Sequence, residues 1–255
     1  QSGEYGPIAQ VVAGVDVALW DIAAQKANQP LWRLLGGISN RVPIYASGIN
    51  PTDPKPIVEC KISEGYRAFK LKIGFDPDLD HGNLNEIRKL IGPTKYLMAD
   101  ANQAWNLEEA RRLIPSLAHT DLLWIEEPIP ADATAKEWKE LSDSSPIPIA
   151  IGENLRNQSA FNWAIESRIF DFIQPDVGKW GGISGCSIIA KQSVNEGISF
   201  CPHSLGSEVS LLASAHLLAS VGGNGHLEVD ANPNPLRDLF HETPLIPVNG
   251  EFHLD

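Results

Sequence analysis

The feature that most limits how this 255-residue chain can fold is a repeat of about 26 residues. Eight short apolar segments recur, and most close on a polar residue followed by Gly, Pro or Asn. They are VPIYASG (42–48), YRAFKLKIG (66–74), KYLMADANQ (95–103), LLWIEEP (122–128), IPIAIGEN (147–154), FDFIQPD (170–176), ISFCPHS (198–204) and HLEVDAN (226–232). From Lys72 through Asp100, Glu126, Glu153, Asp176 and His203 to Glu228 the steps are 28, 26, 27, 23, 27 and 25 residues. One strand, one helix and two connections have this length. Helix-like stretches such as 106–119 and 182–197 lie between the segments. Strands alternating with helical patterns predict βαβ units and a parallel sheet. Eight such units close into an α/β barrel of the TIM type, (β/α)7β or (β/α)8. An open doubly wound sheet is the alternative, but it would normally carry a Gly-rich phosphate turn after an early strand. No G-x-G-x-x-G is present.

Strand side chains alternate between faces, which sorts the polar residues. Lys70 and Lys72 share a face, with Phe69, Leu71 and Ile73 on the other. The apolar triplet suits the helix-facing outside, so both lysines are expected inside. Leu122, Trp124 and Glu126 are expected on one face, Leu123 and Ile125 on the other. Met98, Asp100 and Asn102 go together, as do Cys201 and His203. The polar strand ends would then converge at the C-terminal mouth, where barrel active sites sit.

The segment 8–37 reads as an amphipathic helix with apolar residues at Val11, Val15, Ala18, Leu19 and Ile22, stopping near Asn28–Pro30. Three parts are expected: a helical lead-in (1–40), the barrel (41–232) and a C-terminal segment (233–255). Pro51–Pro56 and Asp76–Gly82 are expected loop tips. The net charge of -12 argues against nucleic acid or an anionic membrane as partner. No apolar run is expected to reach the roughly 20 residues that span a bilayer. No leader is visible, and three cysteines without C-x-x-C spacing fit a reducing cytoplasm. The chain opens on Gln1 with Met98 its only methionine, which reads as a fragment, a processed chain or a trimmed one.

Asp100, Glu126 and Glu153 end three successive strands. Three carboxylates at one mouth repel unless something positive sits among them, and all-oxygen ligands favour a hard cation such as Mg2+. Each acid could instead be a solvated strand end. Lys70 and Lys72, near a metal and each other, are expected to have lowered pKa values, which suits a general base. Asp176 beside His203 would fix the tautomer of the imidazole, or serve as a structural hydrogen bond only. Glu228 would meet the substrate carboxylate or merely stabilise the barrel. His81, His119, His216, His226, His241 and His253 gain no role from spacing. Metal and lysine charge would stabilise the enolate of a carboxylate substrate, and bases on opposite faces would allow racemisation or loss of a β-hydroxyl.

These motifs resemble the enolase superfamily. FKLKIG (69–74) resembles its K-x-K motif, and MADANQ (98–103), WIEEP (124–128) and IGEN (151–154) its three metal-ligand strand ends. QPDVGKWGGISG (174–185), CPHS (201–204) and HLEVD (226–230) resemble the base dyad and final glutamate; 15–37 resembles the helix leading into the barrel. The resemblance implies Mg2+, or Mn2+, on Asp100, Glu126 and Glu153. It implies Lys72 as base on one face with Lys70 holding the carboxylate, His203 with Asp176 on the other, and Glu228 bonding the enolate. A glutamate in IGEN with an Asp–His dyad points to the mandelate racemase subgroup. Lys179 keeps the muconate-lactonising alternative open, although it falls past the strand end.

The family's N-terminal capping domain, which closes over the mouth, is expected to be absent from this chain, and the C-terminal segment to be cut short. The resemblance also implies a homo-oligomer acting on a small carboxylate. Dehydration of an acid sugar is the leading expectation, racemisation or epimerisation of a 2-hydroxy acid the second. A metal-binding barrel without turnover is the third.

Overall fold

All eight repeating segments form strands. The computed structural model describes residues 6–238 and 245–254. Helices α1 (Pro7–Ala27) and α2 (Leu31–Leu34) lead in. The chain then runs β1 (Arg41–Ile49), α3 (Lys55–Ser63), β2 (Ala68–Lys72), α4 (Pro77–Ile91), β3 (Tyr96–Asp100), α5 (Leu107–Leu117), β4 (Leu122–Glu126) and α6 (Ala135–Ser144). It continues through β5 (Ile149–Ile151), α7 (Gln158–Glu166), β6 (Phe172–Ile173), α8 (Gly182–Asn195), β7 (Ser199–Phe200), α9 (Glu208–Val221) and β8 (Leu227–Asp230). Then come α10 (Pro235–Asp238) and β9 (Glu251–His253). Strands β6 and β7 are short because Pro175 and Pro202 come soon after them, and proline cannot donate to a ladder.

The parallel strands follow the order β7-β6-β5-β4-β3-β2-β1-β8, curled so that the ends of the path meet. Seven helices separate the eight strands, which is the (β/α)7β form of the barrel. Strand β9 adds antiparallel to the start of β1, at the end away from the mouth. Among the described residues no ladder joins β7 to β8. The seam is held by the His226 N–H donating to Cys201 Sγ (3.3 Å) and the Ser204 N–H donating to Glu228 (3.0 Å). Gly225 lies against Phe200, so close that a Cβ there would fall 1.8 Å from the Phe200 carbonyl oxygen.

Strand alternation produces two apolar layers. The outer faces of the strands (Phe69, Leu71, Leu97, Ile125, Ile149, Ile173, Phe200, Leu227) pack under the helices. Tyr45, Ala68, Met98, Trp124, Ala150, Phe172 and Cys201 fill the barrel's interior. Trp124 stands edge-on to Tyr45 (centroids 5.3 Å apart) and tilts over Phe172 (4.7 Å). One expected pairing differs. Leu122 joins the outer core, whereas Leu123 packs toward the interior beside Trp124. The β3–β4 register shifts between Leu97 and Ala99, and the extra residue of a bulge puts two successive side chains on one side.

The expected loop tips hold only in part, for 51–53 are bends as expected. Pro54, however, is the N-cap of α3, which begins at Lys55, and 76–82 is the start of α4, where Asp76 is an N-cap accepting from the Asp78 and Leu79 N–H groups and Pro77 takes the first helical position. An Asp-Pro step is a helix start signal as much as a turn signal. Helix α1 ends at Asn28 in the left-handed conformation, as expected near 28–30. Its stripe of Val11, Val15, Leu19 and Ile22, however, faces outward and is exposed. The helix docks through its other side, where Asp16 accepts from the Ser184 N–H (2.9 Å) and Oγ, and Trp20 donates to the same Oγ. By length and composition α1 is also apolar enough to cross a bilayer, with a mean hydropathy of 1.4, contrary to the expectation. Asp16 and Asp21 interrupt its apolar residues, so no unbroken apolar run marks it in the sequence.

Gly225→Ala should strain the β7–β8 seam and cost about 1–3 kcal/mol, the usual range for overpacking. Denaturant unfolding checks this; an unchanged midpoint would mean that the seam has room to open.

Candidate active site

Register brings the key residues side by side. Lys72 pairs with Asp100 across β2–β3, and Asp100 with Glu126 across β3–β4. All point inward, one layer above the aromatic floor. Glu153 lies two residues past β5, beyond Gly152. That glycine has φ +154, and a Cβ there would come within 2.5 Å of the Gln174 backbone, so the chain turns inward where only glycine fits. Asp176 and His203 come after Pro175 and Pro202, beyond β6 and β7, and Glu228 is in β8.

At the centre is the ammonium of Lys70, 1% exposed. It lies 2.5 Å from Glu126 Oε2, 2.8 Å from Glu228 Oε1 and 3.8 Å from Asp100 Oδ2. Lys72 donates to Asp100 Oδ2 at 2.6 Å. His203 is held at both nitrogens: Nδ1 lies 2.6 Å from Asp176 Oδ2, and Nε2 2.7 Å from Glu153 Oε2. Lys179 donates to the same Glu153 oxygen at 2.8 Å. Asp176 is fixed in turn, because its Oδ1 accepts from the N–H groups of Gly178 and Lys179. All eight candidate residues therefore occupy one connected network, and Lys179 belongs to it although it lies past its strand.

Sequence reasoning missed several members. Ser47 donates to Glu228 Oε1 at 2.5 Å. Gln174 donates to Glu126 Oε2 at 2.8 Å and Trp124 to the same oxygen at 3.3 Å. Asn154 donates to Glu127 at 2.7 Å. Gln174 shares inward parity with Phe172, the one signal that could have found it. Glu127 is buried with φ +37, a left-handed conformation that turns the second glutamate of the EEP motif off the strand.

Burial and charge shape the titration of these groups. Burial alone would lower the Lys70 pKa, but Glu126 and Glu228 outweigh it and raise it well above the ordinary lysine value. Lys70 is thus held protonated, without a metal beside it, by the two carboxylates that touch it. Burial, then the charge of Asp100, pushes Glu126 up. Burial and Glu153 push Glu127 up to about 7. Burial would lower His203, but Glu228, Asp176 and Glu153 raise it to about 10, so it is an imidazolium at neutral pH. Glu153 and Glu228 resist burial and are held below the usual range, the first by His203 and Lys179, the second by Lys70 and His203.

Comparison with known proteins identifies the family. The family model described as "Enolase C-terminal domain-like" matches residues 57–255. The chain belongs to that family. The model for the mandelate racemase / muconate lactonizing enzyme N-terminal domain matches residues 4–36, which take in α1 and α2, so only a short piece of the capping-domain pattern is present. A 3,6-anhydro-alpha-L-galactonate cycloisomerase of Streptomyces coelicolor is 33% identical over 89% of this chain and 63% of its own length. A mandelate racemase/muconate lactonizing enzyme structure from Bordetella bronchiseptica RB50 superposes with a TM-score of 0.94 at 48% identity, covering all of this chain and 71% of that one. An L-talarate/galactarate dehydratase variant, solved with Mg and L-glucarate, superposes with a TM-score of 0.88 at 28% identity over 99% of this chain and 63% of that one. The chain thus spans about two thirds of the proteins it matches.

Among the described residues no three His, Cys, Asp or Glu side chains are grouped as a metal-ligand set. Asp100 is turned onto Lys72, Glu126 onto Lys70, and Glu153 onto His203 and Lys179. The donor chemistry nevertheless fits a hard divalent cation: three adjacent carboxylates, one with a buried oxygen, Glu126 Oε1, that meets no hydrogen-bond donor.

Lys70→Met leaves Glu126 and Glu228 buried without their cation, and should cost about 3–5 kcal/mol at neutral pH in denaturant unfolding; a loss below about 1 kcal/mol would show that water replaces the ammonium. The pH dependence has a definite sign. The raised His203 contributes stability that is complete below its ordinary value near 6.5 and is lost as pH rises through about 10. The raised Glu127 favours the fold while protonated, so its effect fades as pH rises from the ordinary carboxylate range through about 7. With EDTA present, the melting temperature should fall steadily from about pH 5 to 9, and a rise across that window would contradict both assignments.

Proposed function

We propose that this chain is the catalytic barrel of an enzyme that removes the proton α to the carboxylate of an acid sugar and expels the β-hydroxyl, yielding a 2-keto acid. The observation that carries this reading is the placement of Lys72 and His203. They stand on well-separated strands of the mouth, β2 and beyond β7, with the row of Asp100, Glu126 and Glu153 on or just past the strands between them. The matched cycloisomerase and dehydratase, both named for sugar-derived acids, support it.

A hydrogen α to a carboxylate is far too weak an acid for any side chain to remove unaided, so the developing enolate must be stabilised. A magnesium ion, or manganese in its place, held by Asp100, Glu126 and Glu153 would supply positive charge beside the substrate carboxylate. Lys70, kept protonated by Glu126 and Glu228, adds a fixed ammonium for a carboxylate oxygen. Glu228, which accepts from Ser47 and the Ser204 N–H, holds the Lys70 ammonium in place, and would itself bond the enolate oxygen only after taking up a proton. Lys72, as a free amine once the proton it donates toward Asp100 has left, takes the α-proton on one face. His203, held as an imidazolium by Asp176, gives its proton to the departing β-hydroxyl, which leaves as water. The resulting enol then tautomerises to the 2-keto acid.

A racemase or epimerase of 2-hydroxy acids is the second reading. The same protonated His203 would return a proton to the opposite face of the enolate, with no group lost. The assay is a screen of acid sugars and 2-hydroxy acids with Mg2+ in heavy water. A 2-keto acid product, absent from Lys72→Ala and His203→Asn, is the expected result. Deuterium at the α-carbon without keto acid would replace the dehydratase reading by the racemase. Magnesium binding without turnover of any acid would leave a metal-binding barrel.

A further inference from the structure

Among the three acids proposed to hold magnesium, Glu126 is singular in how its two oxygens are used. Asp100 accepts at both oxygens, from the Asn102 N–H (2.8 Å) and from Lys72 (2.6 Å). Glu153 also accepts at both, from Asn154 at Oε1 and from Lys179 and His203 at Oε2. Glu126 instead takes three donors on Oε2: Lys70 at 2.5 Å, Gln174 at 2.8 Å and Trp124 at 3.3 Å. Its Oε1 is buried and meets no donor.

We propose that Gln174 and Trp124 are positioning residues that lock Glu126 through Oε2, so that Oε1 is the oxygen offered to the divalent cation. The inference rests on the magnesium reading above. The terminal torsion of a glutamate is broad and roughly two-fold, so its oxygens interchange freely unless neighbours distinguish them. A carboxylate only accepts, so the Gln174 amide can meet it only through Nε2. Donors from β2, β4 and the segment after β6 converge on one oxygen and leave the carboxylate a single orientation.

Gln174 is built for this single contact. Its side chain is fully buried, and its Oε1 has no partner, so the amide's one hydrogen bond is to Glu126. A buried amide with an unmet acceptor costs stability, which is hard to account for as packing alone. Its backbone is fixed by the Gln174 N–H donating to the Ile151 carbonyl (2.9 Å) and by Gly152 pressed against it. Trp124 is wedged between Tyr45 and Phe172, so its indole N–H cannot swing away.

The test is Mg2+ binding to the whole chain by calorimetry, beside thermal unfolding without metal. Gln174→Met, close in volume, should weaken Mg2+ binding about 10–100-fold, as loss of a partner to a metal ligand typically does. Trp124→Phe removes the longer bond and should weaken it only about 2–3-fold, in line with a hydrogen bond worth roughly 0.5 kcal/mol. If Gln174→Met does not fold, Gln174→Asn, which retracts the same amide by one methylene, should show the same weakening. A folded Gln174 variant that binds Mg2+ within twofold of the unaltered chain, whatever its melting temperature, overturns the positioning role and leaves the metal reading intact. Absence of Mg2+ binding by the unaltered chain overturns both.

Discussion

The buried ammonium of Lys70 is the interaction on which the rest of the site depends. It joins β2 to β4 and β8 through Glu126 and Glu228, and so ties three parts of the barrel wall across its interior. Below it Tyr45, Trp124 and Phe172 exclude water; above it every other charge finds its place relative to this one. A lone ammonium at 1% exposure would be prohibitively costly, and so would either carboxylate without it. The three are stable only together, which makes β2, β4 and β8 mutually dependent in sequence as well as in space.

The same logic explains how so many acids share one mouth. Asp100, Glu126, Glu153, Asp176 and Glu228 would repel one another strongly, but Lys70, Lys72, Lys179 and His203 are interleaved among them. Each cation touches at least one carboxylate, and Lys70 and His203 bridge two. The site is thus a lattice of alternating charge, and a hard cation entering it would compete with hydrogen-bond donors, ammonium and imidazolium groups among them, at every ligand oxygen but Glu126 Oε1.

Much of this was legible in the chain itself. The 26-residue step of polar strand ends is a direct consequence of barrel geometry, and the parity of Lys70 with Lys72 and of Trp124 with Glu126 fixed which side chains face inward. The failures have local causes. A bulge in β4 moved Leu122 outward, and alternation from one sequence cannot reveal a bulge. Asp76–Pro77 reads equally as turn or helix start, and only the helix beyond it decides. Ser47, Asn154, Glu127 and Gln174 are ordinary polar residues whose importance comes from what crosses the barrel toward them. The outward stripe of α1 was misleading because the helix meets the barrel through its other side, with Val17 and Trp20 packed on the core and Asp16 bonded to Ser184 of α8.

The interrupted ring of strands has a mechanical consequence. A fully laddered barrel resists deformation equally around its circumference, whereas this one is joined between β7 and β8 by a few isolated contacts. Its compliance is concentrated at that place. That joint lies beside His203 and Glu228, whose side chains meet across it at 3.6 Å, while Lys72, Asp100 and Glu126 stand on strands joined by ladders, with one bulge between β3 and β4. Any change that widened the mouth would have fewer backbone bonds to break at this joint than between the laddered strands of the opposite wall.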